Sequence, residues 1–126
     1  FAGKPPVVHA GRWHYKREWL DIGSAVDAYC LLAERGLPGE AYNVGSDRVM
    51  GAGELATIIA RIAGAPLPVE GPRLAADEIG NQVLASGRIR RLGWKPREQD
   101  GSLNRTVLER TVDWYKAYLG ARACAS

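Results

Sequence analysis

No stretch of this chain approaches the roughly 18 consecutive apolar residues that would suggest a membrane span. Residues 1–10 offer neither the basic start nor the continuous apolar core of a secretory signal. Cysteine is scarce: Cys30 and Cys124 stand far apart and without metal-ligand spacing. That pattern gives no thiolate metal site, and two free thiols in a reducing, cytoplasmic compartment are expected. Methionine occurs once, at Met50, and does not begin the chain, so the expectation is a start inside a longer parent. The glycines of residues 45–53 match neither the dinucleotide fingerprint nor the phosphate loop that ends in Gly-Lys-Ser/Thr. They are read as a turn leading into a helix. Charge of one sign is also modest, at +3 net. That balance suits an anionic ligand or weak nucleic-acid binding and decides nothing alone. Without a helix-turn-helix or an aromatic sheet signature, Arg88, Arg90 and Arg91 are read as a solvated face and nucleic acid is set aside.

What is present is one small domain's worth of chain: 126 residues, 46% hydrophobic and 25% charged. Its organising stretch is residues 17–46. Arg17-Glu18-Trp19-Leu20-Asp21-Ile22 alternates apolar and charged positions as a half-buried strand does. A helix is expected from Ser24, as cap, to about Glu34, stopped by Gly36, Pro38 and Gly39. Val26, Tyr29, Cys30 and Ala33 form its apolar stripe, widened by Ala25, Ala28 and Leu32, which implies burial on more than one side. Glu40-Ala41-Tyr42-Asn43-Val44-Gly45-Ser46 then reads as a second strand. Strand, helix and strand make a crossover unit, which belongs in a parallel sheet and cannot cover one alone.

The flanks are plainer. Val7-Val8 predicts a short strand, and residues 11–16 a basic, aromatic loop whose Trp13, His14 and Tyr15 either pack on the next element or form a lip over a ligand. Leu55, Ile58, Ile59 and Ile62 fall at helical spacing ahead of Gly64. Leu67-Pro68-Val69-Glu70 predicts an edge strand and Gln82-Val83-Leu84-Ala85 another. A brief helix at residues 88–92 and a long one from about Ser102 to Leu119 follow. The face expected on the last holds Leu103, Val107, Trp114 and Tyr118.

Five motifs now fall in one order. They are Arg17-Glu18-Trp19-Leu20-Asp21-Ile22, Tyr42-Asn43-Val44-Gly45-Ser46, Gly53-Glu54-Leu55, the run from Arg88 through Leu92-Gly93-Trp94-Lys95-Pro96, and Thr111-Val112-Asp113-Trp114-Tyr115. Together they resemble the second half of extended short-chain dehydrogenase/reductase enzymes, the NAD-dependent epimerase/dehydratase family acting on nucleotide sugars. The resemblance implies an α/β fold, the carboxyl-terminal part of a Rossmann-type enzyme, with short strands, three to four helices and the cofactor-binding half absent. The whole of residues 1–126 would be a substrate-binding portion. Within it, residues 17–46 would complete the cofactor-domain sheet and residues 47–119 form the substrate lobe.

The family's Tyr-x-x-x-Lys pair and glycine-rich turn are not in this sequence. No catalytic residue and no metal ligand is therefore expected, and the chain alone would not be catalytically competent. NAD or NADP would serve the parent enzyme, with neither bound by this chain alone. The resemblance places Arg17 on a nucleotide diphosphate, and Arg73, Asp77 and Glu78 as further substrate ligands. Leu74 stands where the family's second phosphate-binding arginine aligns. The expected partners are a nucleotide sugar and either another copy or the cofactor-binding half. The alternative is a non-catalytic binding or assembly module with the same fold.

Overall fold

In the computed structural model, which describes residues 4–72, 79–97 and 105–123, the short strand β2 (Lys16–Glu18) has a neighbour on each side. Along one side runs β3 (Val49–Gly51), antiparallel, with Arg17 opposite Met50. On the other, Arg17 forms a single parallel bridge to Gln82, and the Gln82 backbone N donates to Lys16 O at 3.0 Å. A second ladder is parallel and joins β1 (Val7–His9) to β4 (Val69–Gly71). That bears out Val7-Val8 as a strand, and the strand expected at residues 67–70 forms at Val69–Gly71, leaving Leu67 and Pro68 outside it.

The helices are α1 (Ala10–His14), α2 (Ile22–Arg35), α3 (Ala52–Ala63), α4 (Gly87–Arg91) and α5 (Arg105–Ala123). No described helix is long and apolar enough to cross a membrane. Alternation along the strand exit supplies both cores. Trp19 packs with Ile58, Ile59 and Ile62 on the cluster of Met50, Leu55 and Leu108, whereas Leu20 joins Leu31, Leu32, Tyr42 and Val44 on the cluster of Ala28, Ile89 and Trp94. Consecutive residues of an extended chain point to opposite faces, so one dipeptide feeds two cores. The helical spacing of Leu55, Ile58, Ile59 and Ile62 is borne out, and Gly64 ends α3 in the left-handed conformation, φ 66°.

Several expectations are corrected. Residues 40–46 form no ladder among the described residues, so the crossover unit is not closed among them. Side chains occupy part of that backbone: Arg88 donates to Ala41 O at 3.0 Å and Arg90 to Gly45 O at 3.2 Å. The strand that β2 does pair with lies further on, at Val49–Gly51, inside what was read as a plain turn. Of residues 82–85, only Gln82 pairs. Part of the expected aromatic loop coils into α1, and the cap of α2 is Asp21, whose carboxylate accepts from Gly23 N at 3.1 Å. Ser24 lies one turn in and is fully buried; its Oγ accepts from Arg97 N at 2.9 Å and its carbonyl from Trp94 Nε1 at 3.1 Å. The apolar stripe of α2 also turns outward. Ala28, Leu31 and Leu32 pack inward, while Ile22 and Tyr29 are 75% and 74% exposed, with Val26 and the free Cys30 beside them. Cys124 lies outside the described residues, as do Ser102 and Leu103. On α5 the buried residues are Leu108 and Val112, whereas Trp114 and Tyr118 stack on one another in the open, 5.1 Å between ring centroids.

Two contacts here have measurable consequences. The Trp13 ring lies directly where a Cβ on Gly53 would sit, so α1 reaches α3 only because that position carries no side chain. Gly53→Ala is expected to destabilise the chain by about 1–3 kcal/mol through overpacking, read from the midpoint of urea unfolding. Asp27 receives two bonds from Arg97, at 2.6 and 2.7 Å, and this pairing holds its carboxyl below the usual aspartate range. A carboxyl lowered by folding contributes stability above the ordinary aspartate pKa, and that contribution is lost as acid titrates it through its folded value. Stability should therefore fall less steeply between about pH 5 and pH 2 in Asp27→Asn than in the parent sequence, by denaturant titration at each pH.

Candidate functional site

The β2 ladder fixes Arg17 between Met50 and Gln82, and its half-buried side chain reaches across the next segment. Its Nη1 donates to Gly80 O and, at 3.1 Å, to Lys16 O, while Nη2 donates to Ile79 O. A guanidinium offers five N–H groups, so three of them hold backbone carbonyls. Beside it opens a cavity of about 450 Å³ lined by Arg12, Tyr15, Arg17, Trp19, Ala52, Ile79 and Gln82. That volume lies within the range of small-molecule sites. Each wall comes from a different piece of chain. Arg12 comes from α1, Tyr15 from the link to β2, Ala52 from the start of α3, and Ile79 and Gln82 from the segment that Arg17 grips.

The strand itself is held by its neighbour in sequence. Glu18 accepts from Asp47 N at 2.9 Å through one oxygen and from Leu84 N at 2.6 Å through the other. A Cβ on Gly45 would lie 2.8 Å from that carboxylate, so glycine there gives it passage. Asp47 takes φ 61°, a conformation that aspartate tolerates better than most residues. Arg90 closes the arrangement, with Asp47 Oδ2 at 2.7 Å, Ser86 Oγ at 3.0 Å and the Trp94 ring centroid at 5.4 Å. Arg88 pairs with Glu40 and lies over Tyr42. Two of the three clustered arginines therefore have intramolecular partners, which corrects their reading as a merely solvated face. The Trp19 indole donates to Met50 O at 3.0 Å, which fixes the ring on the cavity wall.

Of the four sequence-predicted substrate ligands, Arg17 lines this cavity, whereas Arg73, Asp77 and Glu78 lie outside the described residues. The lip reading of residues 13–15 divides. Tyr15 lines the cavity, Trp13 packs on Gly53, and His14 Nε2 lies 3.2 Å from a Glu70 carboxylate oxygen. Arg12, Trp19 and Gln82 were not singled out from the sequence as ligands. Trp19 could have been found by its place two residues after Arg17 on a strand, hence on the same face. Among the described residues no group of His, Cys, Asp and Glu side chains is arranged to hold a metal.

No family model matches the chain. A putative GDP-L-fucose synthase 2 from Oryza sativa subsp. japonica is 32% identical over 81 residues, which is 64% of this chain and 23% of that protein. The solved UDP-glucose 4-epimerase of Thermotoga maritima, with UDP-glucose, is similar at 26% identity and a TM-score of 0.77, over 93% of this chain and 36% of its own. The dTDP-glucose 4,6-dehydratase of Streptomyces venezuelae, with NAD bound, shares the fold at 24% identity and a TM-score of 0.78, over 94% of this chain and 36% of its own. The chain thus spans less than a quarter of that curated relative and about a third of these solved structures.

Because Arg17 holds the carbonyls of residues 79 and 80, Arg17→Ala is expected to cost about 1–2 kcal/mol of stability. It should also speed amide hydrogen exchange in residues 79–84 more than in α3. A urea titration and exchange mass spectrometry check the two parts separately.

Proposed function

We propose that this chain, a partial region of a protein of the NAD-dependent epimerase/dehydratase family, is the substrate-binding portion of an enzyme that remodels a nucleotide sugar. The observation that carries the reading is Arg17 on the wall of a cavity of about 450 Å³, in a chain whose relatives are described as a GDP-L-fucose synthase and a UDP-glucose 4-epimerase. Arg17 would bind the diphosphate. Its Nη1 and one Nη2 hydrogen serve the carbonyls of residues 16, 79 and 80. The Nε–H and the other Nη2 hydrogen form the fork that takes two phosphate oxygens at once. Trp19 and Tyr15 would give the rest of the ligand an aromatic wall, with the Gln82 amide as a polar contact. Arg73, Asp77 and Glu78 remain proposed substrate ligands on the segment that leads into Ile79.

In the parent enzyme, NAD(P) supplies hydride acceptance when bound to the cofactor half. This chain contributes positioning: Arg17 and its neighbours hold the nucleotide so that the sugar reaches that half. Residues 17–46 would complete the cofactor-domain sheet, with residues 40–46 pairing there, and residues 47–119 would form the substrate lobe. The open face of Ile22, Val26 and Tyr29 on α2 is where the cofactor half would pack. That same face favours a second reading, a non-catalytic assembly module, since an apolar helix face serves either role.

A thermal-shift series with UDP, GDP, dTDP and their sugar derivatives separates the two. At least one should raise the melting temperature, and Arg17→Lys should weaken that ligand by about tenfold although the charge is kept. NAD(P)H formation by the chain alone should stay at the buffer blank. No shift with any of these ligands would overturn the substrate-binding reading in favour of the assembly module.

A further inference from the structure

Residues 79–84 form a strap laid along β2. The side chains of Ile79, Val83 and Leu84 are exposed, so the segment gains little from apolar burial. Among the described residues, its hydrogen bonds run to three consecutive residues of β2. Lys16 N donates to Asn81 Oδ1 at 2.9 Å, and Lys16 O accepts from Gln82 N at 3.0 Å. Arg17 holds the carbonyls of Ile79 and Gly80, and Glu18 accepts from Leu84 N at 2.6 Å. A segment held by a few bonds of this kind opens locally well before the whole fold does. One of the three anchors has a second place: Arg17 lines the cavity, together with Ile79 and Gln82 of the strap itself. We propose that Arg17 couples the cavity to the strap, so that a diphosphate on its guanidinium tightens residues 79–84 against β2 and the strap in turn tightens the diphosphate. The proposal rests on the nucleotide-diphosphate reading above and adds to it a conformational consequence of binding.

The sign of the coupling follows from the shape of the guanidinium. Nη1 serves Lys16 O and Gly80 O, and Nη2 serves Ile79 O. The Nε–H and the second Nη2 hydrogen, assigned above to phosphate oxygens, lie along another edge of the same rigid plane. Strap and ligand therefore draw on different hydrogens, and neither has to let go for the other to bind. A free arginine side chain has considerable rotamer freedom. Whichever partner engages first fixes the plane, and the second then binds a guanidinium that is already ordered. Linkage makes the two effects equal in size: the factor by which ligand tightens the strap is the factor by which the strap tightens the ligand.

The test is hydrogen exchange mass spectrometry of the chain with and without inorganic pyrophosphate or UDP, at saturation fixed by calorimetric titration. Exchange of residues 79–84 should slow about fivefold or more with either probe. Exchange in α3 should change by less than about twofold. Arg17→Lys, at a pyrophosphate concentration that saturates it, should show no slowing of residues 79–84, because an ammonium has no second edge to offer. Asn81→Ala loosens the strap at a residue apart from the cavity lining, and it should lower pyrophosphate affinity by about threefold. It carries the comparison should Arg17→Lys not reach saturation. Unchanged or faster exchange in residues 79–84 of the saturated chain would overturn the coupling and leave Arg17 as a ligand. Equal slowing in Arg17→Lys, or slowing of the same size in α3, would also overturn it, as would unchanged affinity in Asn81→Ala. Failure of the unaltered chain to bind either probe would sink both this proposal and the nucleotide-sugar reading.

Discussion

A single carboxylate joins three pieces of this chain that sequence keeps far apart. Glu18 takes the amide of Asp47 on one oxygen and that of Leu84 on the other. Strand β2 is thereby tied to the approach to β3 and to the segment that follows the bridge at Gln82. Both are hydrogen bonds to a charged acceptor, the stronger kind. The surroundings are shaped to admit them: glycine at residue 45 leaves room, Asp47 adopts a left-handed backbone, and Arg90 holds that aspartate while lying over Trp94. Arg17, one residue before Glu18, inherits its position from this clamp. The segment that carries Ile79 and Gln82 on the cavity wall is held at Leu84 by Glu18 and at residues 79, 80 and 82 by Arg17.

What could be read from the sequence was what repeats or what punctuates. The spacing of Leu55, Ile58, Ile59 and Ile62 gave α3, Gly64 gave its end, and five ordered motifs pointed to the family and, within it, to Arg17. What escaped was short or depended on distant partners. Three residues of β3 carry no period, and five residues of α1 make little more than one turn. A strand exists only through its neighbour, so residues 40–46 had a strand's composition without a ladder among the described residues. The cap of α2 was misassigned because Asp21 and Ser24 are both good capping types, and only the fold shows Ser24 buried under Trp94 and Arg97. Arg12 escaped for a different reason: one cation on a five-residue helix gives no pattern in the sequence, and its place on the cavity wall shows only in the fold.

Helix α2 illustrates how a periodic stripe can be right about composition and silent about direction. Its inward residues are Ser24, Ala28, Leu31 and Leu32, while Ile22, Val26 and Tyr29 face out. In a chain matching only about a third of its solved neighbours, that outward face and the unladdered residues 40–46 lie on adjoining parts of the same unit. Both are accounted for if the remainder of the protein covers them, as proposed above.

The dipeptide Trp19-Leu20 feeds one core from each residue, and this makes the strand intolerant of phase. Inserting or deleting one residue between Glu18 and Asp21 would not merely loosen a core. It would exchange the contents of two, offering the indole to the space shaped for leucine and the leucine to the space shaped for the indole. Length variation along this chain is therefore confined by geometry to places such as the turn at Gly39, whereas residues 16–21 behave as a fixed reading frame. Arg17 is written in that same frame, so an error of register in the cores would also take its guanidinium away from the cavity it lines.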